Sequence, residues 1–230
     1  HYNLFVIEDT AQAIGAEYTF SNGVRKLAGT IGHIGTTSFF PSKNLGCFGD
    51  GGAVFTNDDK LAASLKMIAN HGQKTKYFHD VIGVNSRLDT MQAAILNVKL
   101  RYLTSYCESR QRAAAVYDKE LSHLKEVRIP IRNPNSTHVF HQYTIKVNSG
   151  YKVRDELIEF LKEKGVPSMI YYPLPLHQQN AYKLFIDQTE NWEVSERLCD
   201  SVLSLPMHTE FETPDLIYIV DQVKLFFKTK

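Results

Sequence analysis

Two periods of apolar and polar residues alternate along this chain. Leu4-Phe5-Val6-Ile7-Glu8 is a short continuous apolar run, which reads as a buried strand of a parallel sheet covered on both faces. Asp9-Thr10 then opens a short helix packed through Ala11, Ala13, Ile14 and Ala16. Residues 19–35 are rich in turn formers. Thr36 to Phe40 read as a strand stopped by Pro41, and Ala53 to Thr56 as another, with a tight glycine loop over 44–52 between them. Asn57-Asp58 caps a helix to about Asn70, with Leu61, Leu65 and Ile68 on one face. A polar connection over 71–86 leads to a helix that starts at Asp89 and continues, with a break, to about Leu124. Its early part is apolar nearly all round, which favours burial against other elements or another subunit.

The character changes after Pro130 and Pro134. His138 to Val147 alternate as a strand, and Val153 to Lys164 form an amphipathic helix closed by Gly165. A strand over Ser168–Tyr172 ends at Pro173, and helices at about 190–203 and 213–228 finish the chain. The fold class is α/β. A larger α/β part over 1–110 is followed by a small α+β part over 111–230.

The 230 residues are 43% hydrophobic and 22% charged, enough for a core and inconsistent with a disordered or collagen-like chain. Lys and Arg number 26 against 25 Asp and Glu, a net +1. That balance carries no footprint for nucleic acid, though a few basic residues could hold one phosphorylated small molecule. Cys47, Cys107 and Cys199 are scattered without a CxxC pair or a Cys/His ligand spacing. They read as reduced thiols of a cytoplasmic protein. No apolar run is long enough to span a bilayer and no signal peptide opens the chain, so no membrane partner is expected. His1-Tyr2-Asn3 runs straight into the first apolar strand without a start Met, as a chain entered in mid-fold would.

Several positions could carry chemistry. Lys43 follows an apolar strand, Pro41 and Ser42, and precedes Gly46, Gly49, Gly51 and Gly52. Partial desolvation there would free the amine as a nucleophile for carbonyl carbons; the other reading is a solvated surface lysine. Asp9 ends the first strand, where α/β sheets place ligands, and could pair with a protonated ring nitrogen or simply cap the next helix. Gln12, one turn on, could donate to a ring hydroxyl or face solvent. Ser38 could offer its hydroxyl to a phosphate or bond the backbone. Arg87, in Gly83-Val84-Asn85-Ser86-Arg87-Leu88-Asp89, is a bidentate reader of carboxylates or phosphates, or an ion-pair partner of Asp89. His71, His138, His141 and His177 show no metal-ligand spacing. GxGxxG, Walker and GxSxG signatures are missing from the sequence.

The stretches VIEDTAQAIGAEY, TSFFPSKNLGCFGDGGAVFTNDD, NHGQ and GVNSRLDTMQAAIL, followed by HVFHQYTI, YYPLPLHQQ and SLPMH, together resemble the DegT/DnrJ/EryC1/StrS family. These are pyridoxal 5'-phosphate (PLP) dependent aminotransferases of keto nucleotide sugars with the fold-type-I, aspartate aminotransferase-like architecture. The resemblance covers essentially the whole chain. It implies that Lys43 bonds PLP and shuttles a proton, that Asp9 partners the pyridine nitrogen and that Gln12 packs on the ring or its 3-hydroxyl. Ser38 is implied as a phosphate ligand, and Asn85 as reaching the phosphate in the neighbouring subunit of a homodimer with shared active sites. Arg87, Tyr171, Tyr172 and His177 are implied to line the substrate side, although the family more often has His-Tyr where this chain has Tyr171-Tyr172.

The finer pattern is similar to the subgroup acting on UDP-2-acetamido-2-deoxy-3-oxo-glucuronate, with glutamate as donor and 2-oxoglutarate as product, in O-antigen or other lipopolysaccharide synthesis. The family's N-terminal part of the large domain has no counterpart before His1. A sugar dehydratase of the same family would carry histidine in place of Lys43, and a non-catalytic regulatory or assembly relative is the remaining alternative.

Overall fold

In a computed structural model, which describes residues 2–186 and 190–230, the chain divides into two compact units. One comprises residues 1–108 with 132–141, and the other 109–131 with 142–230.

The first unit is built on a three-stranded sheet of β1 (Ile7–Asp9), β4 (Ile34–Ser38) and β5 (Gly52–Phe55), with β4 in the centre. β1 runs parallel to β4, placing Asp9 opposite Thr36, and β5 runs antiparallel to it, placing Gly52 opposite Ser38. A hairpin of β2 (Glu17–Thr19) and β3 (Arg25–Leu27) occupies the turn-rich stretch. Helix α1 (Asp59–Ala69) starts where expected, because Asp58 accepts the N–H groups of Lys60 and Leu61. A second hairpin, β6 (Gln73–Thr75) and β7 (Phe78–His79), forms within the polar connection. Helix α2 (Thr90–Lys99) starts after Asp89 and passes through a 3-10 turn, Leu100–Tyr102, into α3 (Leu103–Leu121), so the expected break is real. Phe39, Leu45, Cys47 and Leu96 form a buried cluster, with Ile14, Ala53 and Leu103 packed on it.

Two expectations fail here. The first apolar run is not buried: β1 is an edge strand, and Leu4, Phe5 and Ile7 are exposed. Residues 11–15 form turns rather than a helix. Ala13 N–H donates to Thr10 and Ala16 N–H to Ala13, three-residue closures that end at Gly15, whose φ is +86°.

The second unit has an antiparallel sheet in the order β10-β9-β8, formed by β8 (Val127–Arg128), β9 (Tyr143–Val147) and β10 (Val202–Leu205). Tyr143, Ile145 and Val147 of β9 are fully buried, as alternation with period two requires. Against this sheet lies α4 (Tyr151–Glu163), and α6 (Thr213–Lys228) packs on α4; their apolar residues recur at helical spacing: Leu157 and Leu161, then Leu216, Val220 and Val223. Each such fully buried side chain contributes roughly 1.5–3 kcal/mol.

Three boundaries are corrected. The alternating run from His138 pairs only from Tyr143, since Phe140 takes φ +44°. Ser168–Tyr172 is reduced to a single bridge between Met169 and Ser204. The expected helix over 190–203 stops early, as α5 (Glu193–Cys199), because Val202–Leu205 pairs with β9 instead.

Candidate active site

Asp9 and Ser38 are the last residues of the adjacent parallel strands β1 and β4, so both stand at the sheet's carboxyl end. The backbone there is laced together. Thr10 donates both its N–H and its hydroxyl to the Thr36 carbonyl, at 2.8 and 2.6 Å, and the Thr37 hydroxyl donates to the Thr10 carbonyl at 3.1 Å. Asp9 Oδ1 accepts the Ala11 N–H at 3.0 Å, so one carboxylate oxygen serves the turn. Ser38 Oγ is half-buried and accepts the Phe40 N–H at 3.2 Å. Exposed Gln12 borders a small cleft shared with Glu8, Tyr18 and His138.

Lys43 closes a tight turn beyond β4, its N–H donating to Phe40 at 2.8 Å. It is half-buried, and among the described residues no hydrogen bond or ion pair engages its Nζ. The next four residues, Asn44 to Cys47, are all buried. They are held from several sides: Asn44 Nδ2 donates to Val139 at 2.9 Å, Cys47 Sγ to Phe39 and Gly49 at 3.0 and 2.9 Å, and Lys99 Nζ to the Gly46 carbonyl. Gly46 is required by space, since a Cβ there would lie 2.3 Å from the Pro41 carbonyl oxygen. A rigid loop thus presents an unpaired amine.

Asn85 and Arg87 lie on a strip of backbone bonded to the end of α1, with Val84 N–H donating to Ile68 and Ser86 N–H to Ala69. Both side chains are exposed and line one groove with Thr37, Gly51, Phe55 and Leu65. Arg87 Nε points to Asn85 Oδ1 at 3.4 Å rather than to Asp89. The motif His71-Gly72-Gln73 closes beside them, and Gly72 (φ +71°) has Val81 so close that a Cβ would overlap its oxygen.

Glu8, next to Asp9, serves the scaffold. Its carboxylate accepts the N–H groups of Gly29, Ile31 and Gly32 at 2.8, 2.6 and 2.5 Å. Burial pushes its pKa up, but these donors and Lys26 outweigh it and hold the group below the ordinary carboxylate range.

The second unit carries the other predicted residues. Tyr171 and Tyr172 are exposed and meet edge to face, with ring centroids 6.2 Å apart. His177, on a 3-10 turn, puts Nε2 2.9 Å from Glu196 Oε1 and stacks on Trp192 at 5.5 Å and 20°. Gln178 Nε2 donates to the same glutamate oxygen at 2.9 Å. Hydrogen bonds from His177 first, then Gln178, keep the Glu196 carboxyl below its usual range. Sequence reading missed Glu196 and Trp192, because 19 residues separate Glu196 from its partner and no spacing rule joins them.

Among the described residues no His/Cys/Asp/Glu group could hold a metal, and no helix is long and apolar enough to cross a membrane. None of the three cysteines forms a disulfide.

A family model described as the DegT/DnrJ/EryC1/StrS aminotransferase family matches residues 1–224. The "Pleiotropic regulatory protein" of Geobacillus stearothermophilus is 45% identical over 229 residues, 99% of this chain and 59% of its own length. The UDP-2-acetamido-2-deoxy-3-oxo-D-glucuronate aminotransferase of Pseudomonas aeruginosa is 43% identical over 217 residues, 94% of this chain and 56% of its own. Among solved structures, S. venezuelae DesV in complex with a ketimine intermediate matches with a TM-score of 0.89 and 38% identity, over 98% of this chain and 58% of that one. The chain therefore spans a little under three fifths of the length of the relatives it matches.

Proposed function

The chain belongs to the DegT/DnrJ/EryC1/StrS aminotransferase family, and from that premise we propose that it is a PLP-dependent aminotransferase moving an amino group from glutamate to a keto nucleotide sugar. One observation carries the reading: Lys43 is half-buried on a loop locked from several sides, with no acid engaging its amine among the described residues.

The donor set fits PLP. A carboxylate with one oxygen uncommitted (Asp9), a hydroxyl (Ser38) and an amine (Lys43) lie at or directly beyond the carboxyl end of β1 and β4. When bound, PLP supplies a carbonyl for amine capture and a conjugated electron sink. Asp9 would hold the ring-nitrogen proton, Gln12 would contact the ring face or its hydroxyl, and Ser38 and Asn85 would bind phosphate. Lys43 Nζ would bond the cofactor carbonyl and, once released, carry a proton between carbon positions. Arg87, Tyr171, Tyr172 and His177 would bind substrate.

The best-supported acceptor is a UDP-3-keto-N-acetyl sugar, as the name of the Pseudomonas relative suggests, which would place the step in lipopolysaccharide O-antigen or other surface glycan synthesis. We further propose a cytoplasmic homodimer with shared sites. The exposure of Tyr77, Phe78 and Ile82 near Asn85 and Arg87 supports such an interface. A dehydratase role is disfavoured by Lys43 standing where that branch has histidine. The regulatory name of the Geobacillus relative leaves catalysis to be tested directly.

The test is an absorbance spectrum after adding PLP to the wild type and to Lys43→Ala. A visible band lost in the variant and bleached by glutamate is the expected result. A wild type that forms a band but is indifferent to glutamate and other amino donors overturns the aminotransferase reading.

A further inference from the structure

We propose that Glu196 is the positioning residue of His177, holding the imidazole with its proton on Nε2 so that Nδ1 stands as a hydrogen-bond acceptor for a hydroxyl of the sugar substrate. The proposal rests on the reading of His177 as a residue of the sugar pocket.

The geometry is specific. An ionised carboxylate accepts and cannot donate, so the 2.9 Å contact between Glu196 Oε1 and His177 Nε2 places the hydrogen on Nε2. Gln178 Nε2 donates to that same oxygen at 2.9 Å, which pins the carboxylate in place. Trp192 lies nearly parallel to the imidazole, 20° between planes at 5.5 Å, and so sets the plane of the ring. Contact, tautomer and plane are thereby all fixed from outside the imidazole. The His177 side chain is only 11% exposed, whereas Glu196 is 45% exposed. The glutamate thus supports the histidine from the wet side and is the less suited of the two to meet substrate. Nδ1 has no partner among the described residues, so in the neutral ring it is the one acceptor left.

The experiment uses the PLP-loaded protein and two variants, Glu196→Ala and Glu196→Gln. Nitrogen-15 spectra of the imidazole, assigned by comparison with His177→Gln, report the tautomer without reference to activity. The Nε2–H form is expected in the wild type, a mixture in Glu196→Ala, and recovery in Glu196→Gln, whose carbonyl still accepts. Kinetically, Glu196→Ala is expected to raise KM for the keto sugar about tenfold, the value of one oriented hydrogen bond, with a smaller effect on kcat. The double variant with His177→Ala should be no worse than His177→Ala alone. An Nδ1–H ring in the wild type, an unchanged KM, or additive losses in the double variant would each overturn the positioning role. A wild type that reacts with glutamate but serves no keto sugar removes the functional reading and the substrate half of this proposal together; the tautomer spectra then tell that failure apart from a failure of Glu196 to orient the ring.

Discussion

Asn44 donates its side-chain amide to the backbone carbonyl of Val139 at 2.9 Å, across 95 residues of sequence. The bond is buried, with Asn44 at 6% and Val139 at 2% exposure, and it anchors the loop directly after Lys43. Truncation in Asn44→Ala leaves a buried carbonyl without its donor, which costs about 1–3 kcal/mol. Denaturant unfolding of the variant should show a lower midpoint at unchanged slope. The PLP absorbance band should need more cofactor to saturate, because the turn that aims Lys43 has lost its tether.

Gly46 makes the same point through space rather than bonding. A Cβ there would lie 2.3 Å from the Pro41 oxygen and 2.8 Å from that of Phe40, both rigid backbone atoms. Gly46→Ala must therefore displace the Lys43 turn, at a cost of about 1–3 kcal/mol for overpacking. Gly49→Ala is the control, since its Cβ would approach only the end of the Gln92 side chain, at 3.3 Å. Titration with PLP should show at least a tenfold loss of affinity for the first variant and little change for the second.

What was legible in the sequence is what local chemistry decides. Asp58 marks a helix start through its cap bonds and Gly165, at φ +72°, marks an end, since caps and positive φ need only neighbouring residues; Asp89 stands directly before α2 without a side-chain cap bond. Lys43, Ser38 and Asp9 could be placed at strand ends because apolar runs stop there. Pairing decided the rest. Leu198, Val202 and Leu203 suit a helix until β9 claims Val202–Leu205. Ala11 to Ala16 suit a helix until Asp9 and Gly15 close turns around them. The partnership of His177 with Glu196 exists only in three dimensions.

Glu8 gives the protein a pH dependence with a definite sign. Burial alone would raise its pKa, but the N–H groups of Gly32, Gly29 and Ile31, with Lys26, bring it below the ordinary carboxylate value of 4.5. The folded state therefore binds this proton less readily than the unfolded chain. Its stabilisation is complete above about pH 4.5 and is lost as pH falls through the lower, folded value. Urea midpoints measured from neutral pH downward should show wild type above Glu8→Gln at neutrality. The gap should narrow below about pH 4.5, and a constant gap would mean the charge is not what the three N–H groups recognise.

Arg154 joins three elements of the second unit while only 5% exposed. From α4, its Nη1 donates to the carbonyl of Cys199 at 2.8 Å and to that of Val202 at 3.2 Å, while Nε donates to Asp155 Oδ1 at 2.5 Å. The end of α5 and the start of β10 are thus held by one planar cation, a geometry that an ammonium does not reproduce. Arg154→Met keeps much of the buried stem but strands both carbonyls, at about 1.5–3 kcal/mol for losing bonds to a charged donor. Arg154→Lys should recover only part of that. Amide exchange separates this from general destabilisation: the amides of Val202–Leu205 should lose protection first, while those of β8, on the far side of β9, follow only the global opening. Uniform loss along all three strands would instead mean that Arg154 supports the unit as a whole, with no special hold on the α5–β10 junction.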